Sequence, residues 1–272
     1  MQETGNKATM NNTGRLTIRI SRHRLSFSAI DKSEEAQVRF QPYAVRSGIS
    51  MAANLREAFK EDSLLTSGFT KILVDIDTPV LMVPIEEFNE DEIEKTYHYT
   101  FLNRNNDVIL HHVLPELNAV AVYSINKDLK LVLEDHFENI RYIPTCKPVW
   151  NFLYARSFSG IHNKLFCYFH DGKMEVMNFD KNRFKFINTF EVKYSKDALY
   201  FILFVWKQLG LDPMQDEMYI VGEMQEKEEF LNLMRKYIKR TFSINPVAEF
   251  NRAPITQIKM PFDLLTLYIK KQ

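Results

Sequence analysis

A chain that runs strand, strand, strand, helix, strand and then repeats that order has few folds open to it, and this chain does so. From Arg15, the residues Leu16, Ile18 and Ile20 alternate with Thr17, Arg19 and Ser21, the period of two that marks a half-buried strand. A short turn around Arg22 and His23 leads to a second strand, Arg24 to Ile30. A third, Gln37 to Val45, follows the charged stretch Asp31 to Glu35. Together they predict a meander. Ser50 then stands where an N-cap belongs, and Met51, Leu55, Ala58 and Phe59 recur at helical spacing. Lys71 to Ile76 returns as an apolar strand.

The second copy begins with Lys164 to His170 and Lys173 to Phe179. They flank Asp171-Gly172, a dipeptide that suits a two-residue hairpin turn because both positions tolerate positive φ. Arg183 to Lys193 predicts the third strand. Ser195 is placed to cap a helix over 196–209, which Gly210 ends with Pro213 beyond, and Glu217 to Val221 is the returning strand. A helix over 226–238, strand-like segments at 241–244 and 247–250, and a short helix from Pro261 complete the chain. The repetition is one of pattern and not of residue identity.

Between the copies, Val80 to Ile85, Asp107 to Leu114 and Leu117 to Ile125 read as strands, with a helix from Asn126 to His136 and a strand near Ile140 to Ile143. This is extra material, and Pro144 and Pro148 mark its expected end, where the helical stretch Pro148 to Ser159 leads into the second copy. The expected organisation is therefore a disordered tail over 1–14, a first half over 15–147 carrying an insertion at about 80–144, and a second half over 148–272.

Composition removes several classes of function. Lys plus Arg and Asp plus Glu are equal at 35 each, so no overall field draws the chain to nucleic acid or to an anionic membrane, and no nucleic-acid partner is expected. Cys146 and Cys167 form no Cys-x-x-Cys pair and have no histidine at ligand spacing, which leaves no zinc or redox motif. The polar N-terminus reads as neither a signal nor a transit peptide. The densest apolar run, Ala198 to Trp206, is less than half of the ~20 residues a bilayer requires, so no membrane span and a cytoplasmic location are expected.

The element order resembles the ribonuclease-H-like fold doubled into the actin-like ATPase architecture. The first half with its inserted strand-strand-helix-strand subdomain is similar to the bacterial members used in cell division and pilus assembly, and the whole sequence resembles a bacterial domain-of-unknown-function family. The resemblance implies an α/β fold of two halves with nucleotide in the cleft between them, its phosphates at the first hairpin turn of each half. Those turns normally carry Asp-x-Gly, because glycine lets backbone N–H groups approach phosphate and the carboxylate holds the metal. Here the first turn reads Ser21-Arg22-His23-Arg24, and the second reads His170-Asp171-Gly172-Lys173 with aspartate and glycine adjacent. The adenosine-side loop usually carries paired glycines, whereas none of the 8 glycines here adjoins another and only Gly222 falls in a suitable place. The resemblance thus supports the fold and weakens the activity that goes with it.

Other chemistry has plainer explanations. Asp75-Ile76-Asp77-Thr78 invites comparison with the nucleophile loop of haloacid-dehalogenase-type phosphatases, but Pro79 stands where that motif wants threonine or valine. The same pair could bind a divalent cation if a third carboxylate converged; a solvated strand end is the preferred reading. His111 and His112 point to opposite faces of a strand and cannot share a metal. No His-Glu-x-x-His, Gly-x-Ser-x-Gly or Gly-x-x-x-x-Gly-Lys pattern occurs. The helix over 196–209 is apolar all round, which predicts burial on several sides, with a dimerisation or partner face as the alternative. Glu86 to Glu94 carries 6 carboxylates and opens a helix, and it leaves room for docking a basic partner.

The expectation is a degenerate, non-catalytic actin-like protein that works as an interaction or scaffold module, through its cleft or its inserted subdomain, with a protein partner or with itself. No catalytic residue, resident metal or cofactor is assigned. The alternative is a divergent nucleotide-binding ATPase or kinase relative using ATP with Mg, for which His23, Asp75, Asp77, Asp171 and Lys173 are the polar candidates. A third reading is a metal-dependent nuclease built on Asp75 and Asp77.

Overall fold

The structure is a computed structural model that describes residues 12–180 and 183–269. The proposed tail falls outside the described residues up to residue 11, and 12–14 already belong to the first strand. In chain order the first elements are β1 (Asn12–Ile20), β2 (Leu25–Ile30), β3 (Val38–Tyr43), α1 (Met51–Glu61) and β4 (Phe69–Ile76). The inserted part follows as β5 (Leu81–Pro84), α2 (Glu90–Thr100), β6 (Asp107–Leu114) and β7 (Ala119–Asn126). Next come α3 (Lys127–Glu134), β8 (Ile140–Pro144) and α4 (Cys146–Ser157). The second copy is β9 (Lys164–His170), β10 (Lys173–Asp180), β11 (Arg183–Glu191), α5 (Ser195–Gln208), β12 (Glu217–Gly222), α6 (Lys227–Met234) and β13 (Arg240–Ser243), followed by α7 (Pro246–Glu249) and α8 (Phe262–Tyr268).

The duplication is a match of topology. One sheet has the order β3-β2-β1-β4-β8 and another the order β11-β10-β9-β12-β13. In both, the first three strands pair antiparallel and the last two join in parallel. A third sheet, β5-β7-β6, is the inserted one. Contacts divide the chain into two compact units. The first holds the first sheet with α1 and α3. The second holds 79–105, 109–124 and everything from Thr145.

Three expectations need correction. Ser195 is the first residue of α5 and not its cap: Tyr194 is the N-cap, and the Asp197 carboxylate accepts the Tyr194 N–H at 2.9 Å. The insertion does not run to 144, because β8 pairs in parallel register with β4, Ile72 to Ile76 against Ile140 to Pro144, and so completes the first sheet. What is inserted is therefore strand-helix-strand-strand. Its residues Leu114, Leu117 and Ala121 share a core with α4 and β9 of the second copy, although they interrupt the first copy in sequence. A run of apolar residues announces a strand without saying which sheet it joins. Residues 247–250, read as strand-like, form the single turn α7: Asn245 Oδ1 accepts the Val247 N–H at 3.0 Å and Pro246 takes the first helical position.

In the first unit the N-cap at Ser50 is as the sequence suggests, its Oγ accepting the Ala53 N–H at 3.1 Å. Asn54, one turn on, is fully buried. Its Oδ1 accepts the Arg46 N–H at 2.7 Å, and its Nδ2 donates to the carbonyls of Arg46 at 3.2 Å and Ser50 at 3.1 Å. This one amide folds the loop 46–50 against α1. In the second unit Leu165, Cys167, Phe169, Met174, Val176, Met218 and Ile220 form one side of the sheet and pack on α5 and α6. The other side, with Phe166, Tyr168, Met177 and Val221, packs on α4 and Phe262 of α8. Gly210 closes α5 at φ +64°, its N–H reaching Lys207 O at 3.1 Å while Leu211 N–H reaches Trp206 O at 3.2 Å, the paired bonds of a Schellman ending.

Asn54→Ala would take their side-chain partner from the Arg46 N–H and C=O and leave a gap at a fully buried position of α1, and it should lower stability by about 1–3 kcal/mol, read as a shift in urea midpoint at unchanged slope.

Candidate functional site

The two hairpin turns are built differently. In the first unit Ser21 N–H donates to Arg24 O at 2.8 Å, and Arg22 and His23 between them are exposed with negative φ. The turn closes without the left-handed residues that a two-residue hairpin prefers. Asp77 follows β4 directly, half-buried, its N–H donating to Ile20 O at 2.8 Å beside that turn. Asp75 is fully buried and stands in parallel register with Arg19 of β1, itself 2% exposed, so opposite charges face each other across neighbouring strands. Ser26 of β2 continues the same row. Of the first-half candidates, then, Asp75 lies in the sheet interior, Asp77 at its end and His23 in solvent.

In the second unit the Asp171-Gly172 turn has φ +45° and φ +78°, as a type I′ turn requires. Such a turn fixes register: His170 faces Lys173 and Tyr168 faces Glu175. All four side chains therefore project from one face of the hairpin. His170 Nε2 lies 3.1 Å from Glu175 Oε1, and its Nδ1 lies 3.5 Å from Asp171 Oδ2. The Tyr168 ring stacks on the His170 imidazole at 4.5 Å between centroids, and the Tyr168 hydroxyl donates to Asp263 Oδ1 of α8 at 2.8 Å. His170, Glu175 and Asp263 are buried. Burial opposes the charged form of Glu175, yet the hydrogen bond and charge of His170, with a smaller effect of Lys173, hold its carboxyl below the usual value. Asp171 and Lys173 thus come together at the hairpin tip, joined by His170, Glu175, Tyr168 and Asp263, which sequence reasoning did not single out. The turn alone could have revealed the first three, since a two-residue loop places 168, 170, 173 and 175 on one face.

Both imidazole nitrogens face carboxylates of the hairpin itself, and the Tyr168 hydroxyl on Asp263 ties the hairpin to α8. The thiol of Cys167 on the opposite face of β9 is fully buried and pushed well up by that burial, which removes it as a nucleophile. Gly222 has a structural reason for being glycine. At φ +87° it ends β12 beside β9, and a Cβ there would lie 2.1 Å from Phe169 O and 3.0 Å from the Tyr168 ring.

Gly222→Ala should therefore destabilise by about 2–5 kcal/mol through left-handed strain and overpacking, measurable by denaturant melting. For Glu175 the sign follows from a carboxyl held below its unfolded value of 4.5. Its stabilising contribution is present above that value and is lost as pH falls through the folded one. Glu175→Gln should cost about 1–3 kcal/mol at pH 7, and the gap between variant and native protein should close on acidification below about pH 4.5.

A family model described as "Protein of unknown function (DUF3822)" matches residues 3–241. No curated protein matches the chain. Among solved structures, a Bacteroides thetaiotaomicron VPI-5482 protein with actin-like ATPase fold and unknown function superposes with a TM-score of 0.79 at 24% identity, covering 92% of this chain and 98% of that one. The PilM-PilN type IV pilus biogenesis complex gives a TM-score of 0.52 at 12% identity, covering 86% of this chain and 89% of the other. The fold is that of the actin-like ATPases.

Proposed function

The chain belongs to the DUF3822 family, and from that membership and its fold we propose that it is a degenerate, non-catalytic actin-like protein serving as an interaction or scaffold module. One observation carries the reading: in the second hairpin turn the only Asp-Gly of the chain is engaged in structure, Asp171 against His170 and His170 against Glu175. A phosphate-binding turn keeps its carboxylate for a metal and its glycine amides for oxygen atoms. The first turn, Ser21 to Arg24, has no glycine or carboxylate to offer. PilM, described in complex with PilN, supports the idea that this architecture can serve protein assembly. Among the described residues no helix is long and apolar enough to cross a membrane, and two buried cysteines that form no disulfide, Cys146 and Cys167, suit the reducing cytoplasm, where we place the protein.

Thermal melting with and without Mg-ATP tests this. A ligand at about 100 times its Kd adds about 2.7 kcal/mol, or roughly 5–10 °C in a chain of this size. The expected result is no saturable shift. A saturable shift with Mg-ATP, reduced by Asp171→Asn or Lys173→Ala, would replace the scaffold with the nucleotide-binding reading. A shift with Mg or Mn alone that Asp75→Asn abolishes would replace it with the nuclease.

A further inference from the structure

The α5 helix departs from the burial its composition suggests. Ala198, Ile202, Val205 and Trp206 enter the core, but Tyr200 and Phe204, one turn apart, remain 64% and 50% exposed. Their rings are near parallel with centroids 6.3 Å apart. They continue inward through Phe201, which meets Tyr200 at 5.4 Å and stacks on Phe190 of the edge strand β11 at 4.4 Å, so the outer pair rests on a fixed support. Lys193, Lys196 and Lys207 are exposed along the same stretch, and Tyr194 is exposed at its start. Asp197 is the only carboxylate in 193–208, and it is held by the backbone N–H groups of Lys193 at 3.1 Å and Tyr194 at 2.9 Å. Rigid aromatic rings framed by cations are the composition of a protein interface and an unfavourable surface to leave in water.

The complement is on the same chain. In the inserted part, α2 turns Ile93 and Tyr97 into a small core with Val120 and Val122. Its other side exposes Glu90, Asp91, Glu92 and Glu94, preceded by exposed Glu86 and Glu87. Tyr99 is 74% exposed at the far end, with Lys95 over its ring at 5.8 Å, the one cation in the stretch. An acidic helix bearing an exposed aromatic ring matches a basic helix bearing two.

We propose that the basic aromatic face of α5 in one copy docks on the acidic face of α2 in a second copy. This deepens the interaction-module reading and rests on it. Because the two faces differ, the contact is heterologous, and each added copy leaves one face of each kind free, so association proceeds past the dimer unless a ring closes. Opposite charges bring the helices together, and the aromatic rings provide the buried area.

The test is weight-average mass by sedimentation of the full chain from about 1 to 100 µM at low and high salt. The expected mass rises from 32.1 kDa to at least about twice that value with concentration, and falls back in high salt. Reversing α5 with Lys193→Glu, Lys196→Glu and Lys207→Glu should leave a single copy at every concentration. So should reversing α2 with Glu90→Lys, Glu92→Lys and Glu94→Lys. Mixing the two variants should restore association, since one then carries two acidic faces and the other two basic ones. Unchanged melting confirms that each variant is folded, and Tyr200→Ser with Phe204→Ser, which alters no charge, should also abolish assembly. A single-copy mass for the native chain at all concentrations overturns the proposal, as does association indifferent to salt and to both reversals. These outcomes are separable from failure of the scaffold reading, which would show as a saturable Mg-ATP melting shift whatever the mass.

Discussion

The register imposed by a two-residue turn governs the second half of this protein. Asp171 and Gly172 both adopt positive φ, and a hairpin closed that tightly cannot slip by one residue without turning every side chain to the opposite face. Leu165, Cys167 and Phe169 are thereby committed to the α5 side, and Phe166 and Tyr168 to the α4 side. The same register delivers His170 to Glu175 and Tyr168 to Asp263. Each of these polar groups would be costly in a buried setting alone, and the contacts among them offset part of that cost.

The two copies show how one topology accommodates different interiors. Counting from the hairpin turns, Arg19 and Asp75 occupy the strand positions that Tyr168 and Val221 occupy in the second copy, and both pairs are parallel register partners. One copy buries opposite charges there; the other buries an aromatic ring and an aliphatic side chain. At the next position Ile76 corresponds to Gly222, where the second copy has no room for a Cβ. The sheet order survives these changes because it depends on pairing and on crossover connections, which tolerate many side chains as long as each face finds a partner.

What could be read from the sequence follows the range of the interactions involved. The Ser50 cap, the Asp171-Gly172 turn and the Gly210 stop are settled within a few residues of chain, and all three stand as expected. The place of β8 was not legible, because Ile140 to Pro144 meets β4 about 70 residues upstream and an apolar pentapeptide carries no address. The α5 helix misled for a related reason. Its apolar count is high on every side, yet a helix has only as many buried sides as the fold has partners for it, and Tyr200 and Phe204 were left over. At the site, Asp171 and Lys173 were found because turn chemistry marks them. Glu175 and Asp263 escaped notice because their significance lies in contacts made across strands and across 95 positions of chain, from Tyr168 to Asp263.

On the proposed reading, a nucleotide-binding architecture is kept without its chemistry. In this fold the core lies in the sheets and the helices that cover them, whereas a phosphate grip lies in turns that contribute little to that core. Turns are therefore free to change, and here they changed in opposite ways. Arg22 and His23 are left exposed in one copy, and Asp171 is drawn into a buried network in the other. The second change is the harder to reverse. Releasing Asp171 to hold a metal would cost the cluster one of the two carboxylates that face His170, and an imidazole within 5% of full burial would lose that partner. A turn that has become part of the packing resists a return to binding, and that resistance is the physical ground for reading this protein as a structural partner in place of an ATPase.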